Sequence, residues 1–192
     1  MSDRPLPFVF ITGGCRSGKS AYAQRLAEHL SRERLYVATA VPHDEEMRER
    51  IRQHRQERGK GWRTFEAATG NALLAEELYA ACRPGEAVLF DCLTLWAAGH
   101  MHGDRPPPFF ADTCDTLLRG LWTMPSPVIM VSNEVGMGVV PQSAAGRAFR
   151  DMAGLAGQKA AALAPLVIMM VCGIPLAVKG ELPSFSVSEA AS

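Results

Sequence analysis

An α/β fold, with a mostly parallel sheet flanked by helices, is predicted by three observations. Short apolar runs alternate with helix-period segments along the whole chain. Most of the runs are continuously apolar rather than alternating, the pattern of strands covered on both faces. Polar residues follow several of these runs directly: Thr39, Asp91 and Asn133-Glu134. In parallel sheets that position, the carboxyl end of a strand, is where ligands sit.

The first run, residues 8–12, opens into Gly13-Gly14-Cys15-Arg16-Ser17-Gly18-Lys19-Ser20, and a helical pattern over residues 19–32 follows. G-x-x-x-x-G-K-S between a strand and a helix is the signature of a phosphate-binding loop. Glycines let backbone N–H groups converge on phosphate oxygens, and the helix N-terminus adds positive partial charge. Lys19 is expected to reach the β- and γ-phosphates, and Ser20 to hold Mg²⁺ through its hydroxyl. The fold class is therefore α/β of P-loop NTPase type (RecA-like). Further strands are predicted at residues 35–40, 87–93, 128–132 and 167–172, and further helices at 44–58, 72–81, 111–121 and 144–163. Residues 99–109 and 135–142 read as loops from their Gly and Pro content.

With 192 residues the chain is expected to form one nucleotide-binding domain over residues 1–180, followed by a flexible tail over 181–192. Lys plus Arg number 20, as do Asp plus Glu, so the net charge of +0 points to neither nucleic acid nor a membrane surface as partner. The longest apolar run is far short of the roughly 20 residues of a membrane span. Cys15, Cys82, Cys92, Cys114 and Cys172 are scattered, with no C-x-x-C pair, and the first residues carry no signal-peptide pattern. A reducing, cytoplasmic compartment is expected.

The segment 44–58 is dense in charge. Acids crowd its start and arginines its end, which suits a helix dipole. Met47 and Ile51 form its apolar stripe, with His54 at the edge. The pattern admits a structural histidine at the rim of a core contact. It also admits a nucleophile, because Arg52, Arg55 and Arg58 favour the neutral imidazole. Asp91 ends an apolar strand, the usual place for an acid beside Mg²⁺, and the alternative is a capping residue. Glu66 reads as a ribose or base contact or as a surface acid, and Glu134 as weaker support for a base or metal. His100 and His102 are two potential ligands without a third, and read as loop residues. The loop motif alone equally suits another P-loop small-molecule kinase, or a nucleotide-dependent regulatory module without catalysis.

Four segments together go further. They are the phosphate loop with Thr12; Tyr36-Val37-Ala38-Thr39-Ala40; the stretch from Asp44 through Arg50-Ile51, His54-Arg55 and Arg58 to Trp62-Arg63-Thr64; and Ser132-Asn133-Glu134-Val135-Gly136-Met137-Gly138-Val139-Val140-Pro141. In these the chain resembles the bifunctional adenosylcobinamide kinase/adenosylcobinamide-phosphate guanylyltransferase family of cobalamin biosynthesis. The resemblance implies phosphorylation of adenosylcobinamide by ATP or another nucleoside triphosphate. It also implies transfer of GMP from GTP to the phosphate so formed, through a GMP-histidine intermediate at His54, and a trimeric assembly. It places the loop Gly13 to Ser20, Ala38, Thr39, Ala40, Arg55, Gln56, Glu57, Arg58, Glu66 and Asp91 at nucleotide-contacting positions, with Mg²⁺ as cofactor. Cys15 stands where the family has alanine, and Ala40 where it commonly has serine.

Overall fold

The computed structural model of the protein describes residues 7–40, 45, 49, 52, 58–67, 70, 71, 73–101 and 106–185. Among these, seven strands form one sheet in the order β3-β2-β4-β5-β1-β6-β7. They are β1 (Phe8–Gly13), β2 (Arg34–Ala38), β3 (Trp62–Glu66), β4 (Ala87–Asp91), β5 (Val128–Asn133), β6 (Leu166–Val171) and β7 (Ile174–Lys179). Every neighbouring pair is parallel except β6–β7. The described helices are α1 (Lys19–Leu30), α2 (Leu74–Ala81), α3 (Leu93–Ala98), α4 (Phe110–Trp122) and α5 (Ala144–Leu163). The mostly parallel sheet with flanking helices predicted from sequence is the fold observed.

Strand periodicity sorts the core onto two faces. Val9, Ile11, Leu89, Ile129 and Val131 pack under Tyr22, Ala23, Leu26 and Ala27 of α1. Phe8, Phe10, Val88, Phe90 and Met130 pack on the other face with residues of the remaining helices. Each fully buried side chain of this size contributes about 1.5–3 kcal/mol of transfer free energy. Continuous apolar runs follow from this two-sided cover, because neither set of alternate positions meets water. On α5 the buried stripe is Met152, Ala153, Ala156 and Ala160, and its three alanines let the helix lie close to its neighbours.

Three elements depart from the sequence expectation. β3 is an edge strand whose sequence, Trp-Arg-Thr-Phe-Glu, has no apolar run. It is fastened by Arg63, whose Nε and Nη2 donate to Glu86 at 2.9 and 2.7 Å, while Nη2 also donates to the Ala81 carbonyl. Glu86 is buried, so this pair fixes the edge strand to the segment entering β4. β7 contains Pro175, tolerated at a sheet edge where one side of the strand has no ladder to complete. The expected strand over 87–93 instead stops at Asp91, and α3 begins two residues later. Cys92 caps α3, its sulfur accepting from the Leu95 N–H.

The tail past Gly180, expected to be flexible, is in contact with the body at Phe185. That ring lies 5.3 Å from Tyr22 and 5.4 Å from His29, both on α1. Among the described residues no helix is long and apolar enough to cross a membrane.

Candidate active site

Strand register brings the predicted residues to one edge of the sheet. Gly13 pairs with Asn133 and Met170, and Ala38 pairs with both Glu66 and Asp91. The phosphate loop leaves β1, Thr39 and Ala40 follow β2, Asp91 ends β4, and Glu66 ends β3, two strands from Asp91 on the outer side. At a strand spacing of roughly 4.8 Å, β4 and β1 are separated laterally by about 10 Å, with β5 between them.

The loop is built to receive an anion. Gly18 opens α1 at φ 90, in the left-handed region, and supplies no side-chain cap. The first turn of α1 holds no acidic residue either. The α5 N-terminus, by contrast, is closed by Ser143, whose hydroxyl accepts from the Gly146 N–H. An uncapped helix start leaves N–H groups and dipole charge for a ligand. Lys19 is buried there, its ammonium donating to the Gly14 carbonyl at 3.0 Å across the loop. Among the described residues the buried Ser17 hydroxyl has no hydrogen-bond partner. A cradle of this kind, with a buried cation and an unspent polar group, fits a polyphosphate.

The loop is braced from three sides. A Cβ on Gly13 would lie 2.6 Å from the Met170 carbonyl oxygen, so only glycine lets β6 pass this close. The Glu134 N–H donates to the Gly13 carbonyl at 2.9 Å. Gly173, in the tight turn joining β6 to β7, donates its N–H to the Ser17 carbonyl at 3.0 Å. Glu134 itself spends its Oε1 on the Gly136 N–H, which shapes the turn after β5.

Thr39 ties the ends of β2 and β4 together. Its hydroxyl donates to the Cys92 carbonyl at 2.8 Å and accepts from the Cys92 N–H at 2.7 Å, and its own N–H reaches the Asp91 carbonyl at 3.4 Å. Each such buried bond contributes about 1 kcal/mol. The Thr39 side chain thus holds the Asp91 turn, a role its position as a predicted nucleotide contact does not reveal. Burial, and next the Asp91 carboxylate, push the Cys92 thiol up to about 12, with Lys19 among the weaker opposing influences. The thiol is a structural group, not a nucleophile. Thr94 continues the network, bonding the Ser132 hydroxyl at 2.9 Å and accepting from the Asn133 N–H at 2.6 Å.

Ser20 and Asp91 offer hard oxygen ligands at the same edge, and no group of three or more His, Cys, Asp or Glu is found among the described residues. That donor set suits Mg²⁺, which is held by one or two protein oxygens together with substrate phosphates. Tyr36 donates its hydroxyl to Asp91 Oδ2 at 3.2 Å. The Arg58 guanidinium lies 3.6 Å from the centre of the Tyr36 ring. His54, Arg55, Gln56 and Glu57 lie outside the described residues, as does His102. His100 lies in the turn after α3, as expected, and is buried against Trp96 at 4.6 Å and Phe110 at 6.1 Å. Cys15 and Cys172 are exposed.

Comparison with known proteins identifies the family and the fold. A family model described as cobinamide kinase / cobinamide phosphate guanyltransferase matches residues 9–178. A bifunctional adenosylcobalamin biosynthesis protein CobP of Pseudomonas aeruginosa is 40% identical over 171 residues, covering 89% of this chain and 96% of the relative. A protein of the corresponding title, CobU of Escherichia coli, is 37% identical over 183 residues, covering 89% of this chain and 99% of the relative. Among solved structures, the RadB recombinase superposes with a TM-score of 0.50 at 15% identity, over 84% of this chain and 73% of that one. The last likeness concerns the fold alone.

Proposed function

Because the chain belongs to the cobinamide kinase / cobinamide phosphate guanyltransferase family, we propose that a single nucleotide cradle serves both named activities and that His54 carries the guanylate between substrates. The observation that supports this is the uncapped start of α1, with buried Lys19 and the unspent Ser17 hydroxyl, on the same sheet edge as Asp91.

In the kinase step the side-chain hydroxyl of adenosylcobinamide attacks the γ-phosphorus of a nucleoside triphosphate. The bond to the β-bridging oxygen breaks and the nucleoside diphosphate leaves. Loop N–H groups and Lys19 stabilise charge on the transferring group. Ser20 and Asp91 would hold Mg²⁺, which would neutralise phosphate charge. In the transferase step the neutral imidazole of His54 attacks the α-phosphorus of GTP. A P–N bond forms, the α–β bridge breaks and pyrophosphate departs. A phosphate oxygen of adenosylcobinamide phosphate then attacks the same phosphorus, and the P–N bond breaks to release adenosylcobinamide-GDP and free histidine. The covalent stage splits one hard displacement into two. Arg55 and Arg58 supply charge for the polyphosphate, with Gln56, Glu57, Glu66, Ala38 and Ala40 as further nucleotide contacts.

Incubation with adenosylcobinamide, ATP, GTP and Mg²⁺, read by mass spectrometry, is expected to show the phosphate and then the GDP adduct. Absence of both products refutes the assignment, and the phosphate alone refutes the transferase half.

The chain also carries a surface suited to self-association. Ile174, Leu176 and Val178 point from one side of the β7 edge strand and are 61%, 50% and 66% exposed. An open apolar edge is a liability unless covered. We propose a homo-oligomer through β7, with the trimer implied by the family resemblance. Sedimentation velocity is expected to give an assembly of about three chains that Leu176→Asp dissociates, and a single-chain mass for the unaltered protein at micromolar concentration refutes it.

A further inference from the structure

Tyr36 stands between Arg58 and the acid at the end of β4. It lies in the middle of β2, opposite Leu89 of β4, while Ala38 two residues on lies opposite Asp91. Side chains two apart share a strand face, so the phenol leans along the face toward the Asp91 carboxylate. The contact is a hydrogen bond of 3.2 Å to Oδ2.

Three features lock the ring that delivers this bond. The Arg58 guanidinium covers one face at 3.6 Å from the ring centre. Trp62 of β3 meets it edge-on at 6.4 Å. The strand pairing of β2 with both β3 and β4 fixes the backbone beneath it. A carboxylate at a strand end has free rotation about χ2 unless one oxygen is engaged. A fixed donor on Oδ2 favours one orientation of the carboxylate, and groups that orient ligands in this way commonly alter metal affinity by about 10–100-fold when removed.

We propose that Tyr36 is a positioning residue that orients Asp91 toward the Mg²⁺ of the bound nucleotide. The proposal rests on the reading of Asp91 as the acid at that ion. It adds a residue from the middle of β2 that acts through Asp91. It also connects the arginine closing the His54 segment to the metal-side acid through one aromatic ring, with cation above and carboxylate at the hydroxyl.

The test uses Mn²⁺ as the spectroscopic probe. Free Mn²⁺ is measured by electron paramagnetic resonance as it is titrated into the full-length protein with a non-hydrolysable ATP analogue. Tyr36→Phe keeps the ring beneath Arg58 and removes only the hydroxyl. It is expected to weaken Mn²⁺ binding about tenfold, with an unchanged far-ultraviolet circular dichroism spectrum. The kinase activity of this variant is expected to need about tenfold more Mg²⁺ for half-saturation, with kcat recovered at saturating Mg²⁺. Asp91→Asn is measured alongside. If Asp91→Asn weakens Mn²⁺ binding while Tyr36→Phe binds it as the unaltered protein does, the positioning role is overturned. If Asp91→Asn leaves binding unchanged, the assignment of Asp91 itself is wrong, and the role of Tyr36 falls with it.

Discussion

Lys19→Ala is expected to abolish both reactions together. The ammonium is buried at the head of α1, beside a loop whose only other polar side chain sealed from solvent is Ser17. Removing it deletes the one full positive charge that the loop itself brings into this buried cradle. Charge on a transferring phosphoryl group is stabilised mainly by such fixed groups, and loss of one costs about 10²–10³ in rate, or roughly 3–4 kcal/mol. Both the γ-phosphate transfer and the guanylate transfer need the triphosphate gripped, so both kcat/KM values are expected to fall by at least that factor. Lys19→Arg is not expected to rescue, since a forked guanidinium does not replace a compact ammonium in a tight loop. Initial rates with ATP and label transfer from α-labelled GTP are the two measurements. A variant that loses one activity and keeps the other at full rate would show that the two nucleotides occupy different cradles.

His54→Ala is expected to separate the reactions that Lys19→Ala removes together. The wild-type protein, incubated with α-labelled GTP and denatured in alkali, is expected to retain label that acid releases, the behaviour of a phosphorus–nitrogen bond. The alanine variant is expected to retain none. Kinase turnover is expected to stay within a few-fold, because that step uses the loop and no nucleophilic imidazole. Label persisting in the alanine variant would transfer the covalent role to another side chain. Cys92 is a poor substitute, since burial and Asp91 keep its thiol protonated.

How much of this was legible in the sequence depended on the distance over which each feature is determined. The phosphate loop is local: eight successive residues between a strand and a helix, and β1 and α1 appear where the pattern puts them. β4 and β5 were legible because burial on both faces demands unbroken apolar runs. β3 and β7 were not. Both lie at sheet edges, where one flank meets solvent: Arg63 and Thr64 break any apolar run in β3, and Pro175, tolerated only at an edge, interrupts the strand pattern of β7. α3 was hidden because Cys92 and Leu93 extend the apolar run of β4 past the point where the backbone turns.

The site divides in the same way. Lys19 and Ser20 were readable from the loop motif at the start of α1, and Asp91 as an acid at a strand end. The bonds from Thr39 to Cys92 and from Tyr36 to Asp91 were not, because they join positions more than fifty residues apart. They exist only because β2 lies beside β4 rather than beside β1, a matter of strand order that no local pattern encodes. Thr39 illustrates the result: the position was predicted, and its hydroxyl is spent on a neighbouring turn.

The bond from the Gly173 N–H to the Ser17 carbonyl makes the loop after β1 depend on a distant part of the chain. A fragment holding β1, the loop and α1 has the whole sequence motif and lacks this support. The loop's shape is therefore a tertiary property, complete only when the β6–β7 hairpin is seated against it.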